Sequence, residues 1–355
     1  MRALSFDDIQ LVPRFNNIPS RKDVSTRVQF GDLTLDVPIF SSNMDTITDS
    51  KMARTMYKLG GLGFLHRFCS IEENISMYDY ATKEWQNTRE PRKIEAEAVV
   101  SLGVNEGLDR FHALYEIGAR YFCIDVAHGH SESVGRMIKS LKKFSDDIYV
   151  VAGNVCTRMG AEYLAGCGAD AIKIGVGPGS ACTTRIKTGF GIPQFTAIRE
   201  CSRVNVFKIA DGGIRTPGDA VKAFAAGADA IMLGGMLAGC DETPGELITD
   251  IAQDFRGDWK ATNDSYKIFR GMASKEAQDD FMGSMSDWKA AEGVEITVKV
   301  KGPASNVVNE LMGGIRSGMT YCGANNIREI RERAEWVEIS PAGAAEAKPH
   351  GEGRL

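Results

Sequence analysis

The chain of 355 residues has no excess of basic charge, no long apolar run and no paired-cysteine motif. Its 42 Lys+Arg are outnumbered by 47 Asp+Glu, a formal net charge of −5. Binding to nucleic acid or to an acidic membrane needs a basic face, so the balance speaks against both while leaving room for one local phosphate pocket. No stretch approaches the roughly 20 apolar residues of a membrane-spanning helix. The opening residues, MRALSFDDIQLVP, carry acids where a secretory signal would be apolar. The cysteines (69, 123, 156, 167, 182, 201, 240 and 322) form no CxxC pair and no metal-ligand spacing. They read as reduced, mostly buried thiols of a cytoplasmic protein, and a catalytic one must be argued individually.

What is abundant is glycine, 38 residues against 11 prolines. Eight short apolar runs recur with helical patterns between them: VPIFSS (37–42), GLGFLH (61–66), AVVSLGV (98–104), YFCIDVA (121–127), IYVVAGN (148–154), AIKIGVG (171–177), VFKIADG (206–212) and AIMLGGM (230–236). Continuous apolar runs fit parallel strands covered on both faces. Three helical patterns end in IGAR, CGAD and AGAD directly before a strand, and Thr216-Pro217-Gly218-Asp219 has the composition of a helix start. Eight such units predict an α/β fold, a (β/α)8 TIM barrel; an open doubly wound sheet is the alternative, without a GxGxxG after the first strand. Residues 26–35 predict an N-terminal β-hairpin around Gly31-Asp32. A polar segment, 241–302, follows strand 8 and lacks barrel signals, as a functional flap or a disordered loop would. The expected organisation is one barrel domain over 1–339, flap included, and a disordered tail over 340–355.

In such a barrel the chemistry sits where strands end and loops begin. Those positions here are rich in small and polar residues: Ser41 to Asp45, Asp125 to His130, Gly153-Asn154, Gly175 to Ser180, Asp211-Gly212-Gly213 and Gly234-Gly235. The paired glycines after strands 7 and 8 stand at the barrel's common phosphate position, where backbone amides can hold an anion; singly, each could merely end a strand. Cys182, in the loop GVGPGSACTTRIKTGFG, is a candidate nucleophile beside Ser180, Thr183, Thr184 and Arg185; the same loop could instead turn carbonyls towards a cation. Asp45, Asp125 and Asp211 could accept ribose hydroxyls or cap helices. His128 and His130 make a weak metal pair, and His66 reads equally as a core residue. Glu292 in the flap is a candidate general base, or one acid on a solvated loop.

GVGPGSACTTRIKTGFGIPQ, with FDDIQLVP (6–13), NMDT (43–46), ADGGIRTPGD (210–219), MLGGMLAG (232–239) and GGIRS (313–317), resembles the inosine-5′-monophosphate dehydrogenase/guanosine-5′-monophosphate reductase family over about residues 4–338. The resemblance implies a (β/α)8 barrel, commonly tetrameric. It favours the reductase branch. Residues 70–97 leave no room for the regulatory CBS modules usual in the dehydrogenase, and SMSDWKAAEG (284–293) lacks the dehydrogenase's Arg-Tyr pair. Lys289-Ala290-Ala291-Glu292-Gly293, Asn43 and Asp125-Val126-Ala127 look like the reductase, whereas GLGFLHRFCSIEEN and GGIRTPGD have a dehydrogenase flavour.

By that resemblance Cys182, Thr184 and Glu292 carry an NADPH-dependent reductive deamination of GMP to IMP. The purine nucleoside monophosphate binds Ser180, Asp211, Gly212, Gly213, Gly234, Gly235, Gly271, Met272, Ala273, Lys289 and Gly293. The cofactor contacts Ser20, Arg21, Asp125, Val126, Ala127, Val176, Gly177 and Ser317. Carbonyls of Gly177, Gly179 and Cys182, with Arg185 nearby, resemble a potassium site. Ala273, Lys289 and Ala181 depart from the reductase's serine, arginine and larger aliphatic. A dehydrogenase without CBS modules and a non-catalytic nucleotide-binding paralogue are the competing expectations.

Overall fold

The computed structural model describes residues 2–83, 97–253, 259–283 and 290–348. Eight parallel strands close on themselves as a barrel. Numbered along the chain they are Ile39–Ser41, Leu62–Leu65, Ala98–Leu102, Tyr121–Asp125, Tyr149–Val155, Ala171–Ile174, Phe207–Asp211 and Ala230–Leu233. Each lies on one of the eight apolar runs, strand 5 overrunning its own by one residue at Val155, and strand 8 returns to strand 1 by pairing Ile231 with Ile39 and Leu233 with Ser41. The runs are apolar throughout because alternate side chains fill the barrel while the others meet the surrounding helices.

Helices occupy all seven intervals between strands. The helix Pro217–Ala226 starts on Thr216, whose Oγ1 accepts the Asp219 N–H at 3.1 Å. The Gly-Ala-Asp endings work as a device with two parts. In the first, Ala169 N–H donates to Leu164 O at 3.1 Å and closes the helix, and Asp170 Oδ2 accepts the Val150 N–H at 2.7 Å. The second repeats it, with Ala228 N–H donating to Ala223 O and Asp229 Oδ2 accepting the Lys208 N–H at 2.8 Å. The cap thus ties each helix end to the base of the neighbouring strand.

The hairpin, Val28–Phe30 against Leu33–Leu35, plugs the barrel floor. Phe30 is fully buried, its ring centroid 4.6 Å from Tyr149 and 5.1 Å from Phe207, both at strand starts. Near the two ends of the chain, Ile9–Val12 pairs antiparallel with Glu335–Glu338. Two expectations need correction. The tail is not wholly irregular: Pro341–Glu346 is a helix, with Ser340 Oγ accepting the Gly343 N–H and proline in the first turn; residues 349–355 lie outside the described residues. The flap is also regular, a three-stranded antiparallel sheet of Ile248–Gln253, Trp259–Arg270 and Glu295–Lys299 with the helix Lys275–Met282. Lys267 and Phe269 are buried while residues 266, 268 and 270 are less so. That period of two is what a strand with one covered face requires. No described helix is long and apolar enough to cross a membrane.

Candidate active site

A cavity of about 910 Å³ lies at the C-terminal ends of the barrel strands, roofed by the flap. Cys182 stands in the loop after strand 6, and its Sγ donates to Thr184 Oγ1 at 3.2 Å. The flap is stitched to this loop. Thr183 N–H donates to Glu292 O at 2.9 Å, Val294 N–H to Ala181 O at 3.0 Å, and Cys182 forms an isolated bridge with Gly293. Glu292 N–H donates to Ala273 O at 2.9 Å, and Glu292 lines the same cavity as Cys182 and Thr184. A Cβ on Gly271 would lie 2.8 Å from Ala181 O, so this approach of flap to thiol loop requires glycine. A hydroxyl-linked thiol beside a carboxylic acid is suited to covalent attack with proton relay.

The side of the cavity expected to take the anion is lined by loop residues. Ser180, Gly212, Gly213, Gly234 and Gly235 all line the cavity, and Gly212 and Gly213 take positive φ of 87° and 80°. Such left-handed turns aim successive N–H groups into one concavity. From the flap come Gly271, Met272 and Ala273. Lys289 lies outside the described residues.

Lys173 was not singled out from the sequence, yet it is the electrostatic centre of the site. Its side chain is 3% exposed, and Nζ donates to Asn43 Oδ1 at 3.0 Å, Asp125 Oδ1 at 3.0 Å and Asp211 Oδ2 at 3.2 Å. Burial would lower its pKa, but the two aspartates outweigh burial and hold the ammonium above the ordinary lysine range. Burial would likewise raise Asp125; Lys173 and Arg67 overcome it and keep the carboxyl below the usual range. Asn154 Nδ2 adds a bond to Asp211 Oδ2 at 2.9 Å. One signal was available in the sequence: a lysine inside an apolar run must find partners.

Asp125, Val126, Ala127, Val176 and Gly177 line the part of the cavity expected to take a cofactor. Ser20 and Arg21 are exposed on the N-terminal segment, and Ser317 donates to Gly313 O along the helix Ala304–Cys322; these three do not line the cavity. Gly179 lines it, its carbonyl accepting the Cys182 N–H at 3.1 Å. Arg185 braces the loop from behind, Nε donating to Val176 O at 3.2 Å and Nη2 to Ile192 O at 2.6 Å. His66 is a core residue, 8% exposed, its pKa lowered by burial.

Comparison with known proteins agrees with this arrangement of barrel, thiol loop and flap. The family model described as IMP dehydrogenase / GMP reductase domain matches residues 3–350. GMP reductase 2 of Mus musculus is 34% identical over 95% of this chain and 94% of its own. The structure of inosine 5′-monophosphate dehydrogenase from Legionella pneumophila is 46% identical, with a TM-score of 0.80 over 96% of this chain and 100% of that one. GMP reductase from Trypanosoma brucei, in complex with guanosine 5′-monophosphate, is 30% identical, with a TM-score of 0.89 over 99% of this chain and 98% of that one. Both reactions are thus represented among similar proteins, all of them oxidoreductases that use a nicotinamide dinucleotide. A barrel whose sixth loop presents a thiol to a flap-borne glutamate, matched over nearly its whole length, belongs to the IMP dehydrogenase / GMP reductase family.

Proposed function

We propose that the chain reduces guanosine 5′-monophosphate to inosine 5′-monophosphate with NADPH, releasing ammonia. One observation carries the reading: the flap hydrogen-bonds directly to the thiol loop and brings Glu292 into the cavity of the Cys182–Thr184 pair. The flap sequence adds the choice of branch, since SMSDWKAAEG has no Arg-Tyr pair to activate water.

Cys182 Sγ attacks C2 of the guanine, forming a C–S bond while its proton passes to Thr184 Oγ1, which hands its own hydroxyl proton on to Glu292. Glu292 and Thr184 then deliver a proton to the 2-amino group, and the C2–N bond breaks as ammonia leaves. Proton delivery of this kind is worth typically 10²–10⁴-fold in rate. NADPH, held by Asp125 to Ala127, Val176 and Gly177, would supply the hydride that C2 takes in place of the amino group; Cys182 then leaves C2 as the thiolate and regains its proton. The balance is GMP + NADPH + 2H⁺ giving IMP + NADP⁺ + NH₄⁺. Gly212, Gly213, Gly234, Gly235 and Ser180 would hold the phosphate and Asp211 the ribose, with Gly271 to Ala273, Lys289 and Gly293 around the base. Asp125 to Ala127, Val176 and Gly177 fit a nicotinamide next to the thiol, since they share its cavity. The far end of the cofactor is left to Ser20, Arg21 and Ser317. Carbonyls of Gly177, Gly179 and Cys182 would hold potassium and order the thiol loop; Gly179 O keeps a second lone pair beside its bond to Cys182 N–H. A homotetramer in the cytoplasm is proposed on the family likeness alone.

The 46% identity to the Legionella dehydrogenase supports a second reading, oxidation of IMP with NAD⁺ to xanthosine monophosphate. Following nicotinamide absorbance with GMP plus NADPH, and separately with IMP plus NAD⁺, divides the two. Oxidation of NADPH is the expected result; reduction of NAD⁺ alone would overturn the reductase reading.

A further inference from the structure

We propose that Arg270, held by Asp45, is the positioning residue that fixes the flap segment Gly271–Ala273 over the barrel mouth. The inference rests on reading that segment as part of the nucleotide site. Arg270 ends the central flap strand, and its side chain is only 15% exposed. Its guanidinium joins the flap to the barrel. Nε and Nη2 converge on Asp45 Oδ2 at 3.0 and 2.5 Å, from the loop after barrel strand 1. Nη1 reaches Asp280 Oδ2 at 2.6 Å on the flap helix and lies 3.7 Å from Glu295 Oε2 on the third flap strand.

The backbone repeats the link. Arg270 N–H donates to Thr46 Oγ1 at 3.3 Å, and Asp45 N–H to Met272 Sδ at 3.3 Å. Barrel loop 1, flap helix and flap strand therefore meet on one side chain, immediately before three residues that line the cavity. Other ties of the flap run to the thiol loop, through Thr183, Ala181 and Cys182, and to its base, where Lys267 Nζ donates to Cys240 O at 3.0 Å and to Thr243 O at 2.6 Å. Removing the Arg270 latch leaves those ties in place and takes away the side-chain link from Gly271–Ala273 to barrel loop 1, so that the segment is less sharply positioned. A displacement of about 1 Å at a reacting group can cost about 10²-fold in rate. A planar guanidinium can serve three carboxylates on separate elements at once, and a lysine ammonium cannot reproduce that fork.

The test compares full-length wild type with Arg270→Lys, Arg270→Gln and Asp45→Asn. Peptide mapping follows iodoacetamide alkylation of Cys182, with and without GMP or IMP, and steady-state kinetics and melting temperature are measured alongside. The expected result is protection of Cys182 by nucleotide in the wild type that is weakened in the variants. The nucleotide KM should rise about tenfold or more while the NADPH KM stays within about twofold, and Arg270→Lys should not rescue. Should Arg270→Gln fail to fold, Asp45→Asn and Arg270→Lys carry the test. Unchanged nucleotide KM and protection in folded variants would overturn the latch alone. Absence of protection by either nucleotide in the wild type would overturn the nucleotide-site reading, and the latch with it.

Discussion

Lys173 lies between Asp125 and Asp211 at the bottom of the cavity, and each of the three charges depends on the others. Removing one partner of a buried ion pair typically costs about 3–5 kcal/mol, because the remaining charge stays desolvated. Lys173→Met should lower the unfolding free energy by that amount near pH 7, read by urea denaturation. The sign of the pH dependence follows from the shifts. Asp125 is held below its ordinary value, so its stabilisation is present above about pH 4 and lost as pH falls through the lowered value. Lys173 is raised, so its share persists below about pH 10 and is lost only as pH climbs through the raised value. The gap between wild type and Lys173→Met should therefore narrow towards acid pH as Asp125 protonates; a pH-independent gap would contradict the coupling. Thr184→Val and Glu292→Gln test the relay at the same scale. Each should reduce kcat by about 10²–10⁴-fold with the nucleotide KM changed little, since both groups are asked to move a proton rather than to bind.

At the scale of elements, the hairpin that closes the barrel floor is separable from the chemistry at the other end. Phe30→Ala removes a fully buried ring packed on Phe40, Tyr121, Tyr149 and Phe207, and should cost about 3–5 kcal/mol of stability. The nucleotide KM of the folded variant should match wild type; a large change would mean that floor and mouth are coupled. The barrel strands were legible in the sequence because each is an apolar run bounded by a capped helix and a loop. Flap strands were not: residues 266–270 of the strand Trp259–Arg270 follow a period of two, with Lys267 on the covered face, and lysine hides that pattern. The helix Pro341–Glu346 was concealed by small residues that read as a tail, although Ser340 and Pro341 supply a helix start. Thr184 and Cys182 were visible as neighbours in sequence. Lys173 was not visible as a partner of Asn43, 130 residues away, or of Asp211, 38 away, because only barrel closure brings those strand ends together.

For the molecule as a whole, a net charge of −5 and an anionic substrate are compatible because the proposed phosphate site uses backbone amides of glycine pairs, with Lys173 engaged by Asp125 and Asp211. In the proposed reaction the barrel supplies the thiol and the flap the glutamate, so turnover requires the two to stay joined through the thiol loop. Family membership follows from the match over residues 3–350; the choice between reducing GMP and oxidising IMP rests on the flap and the residues it carries. The most direct measurement is ammonia released per NADPH oxidised when the purified protein turns over GMP, run beside Cys182→Ala. One ammonia per NADPH with the wild type, and neither product with Cys182→Ala despite retained GMP binding, is the expected outcome. NADPH oxidation without ammonia, or turnover that survives Cys182→Ala, would contradict covalent reductive deamination.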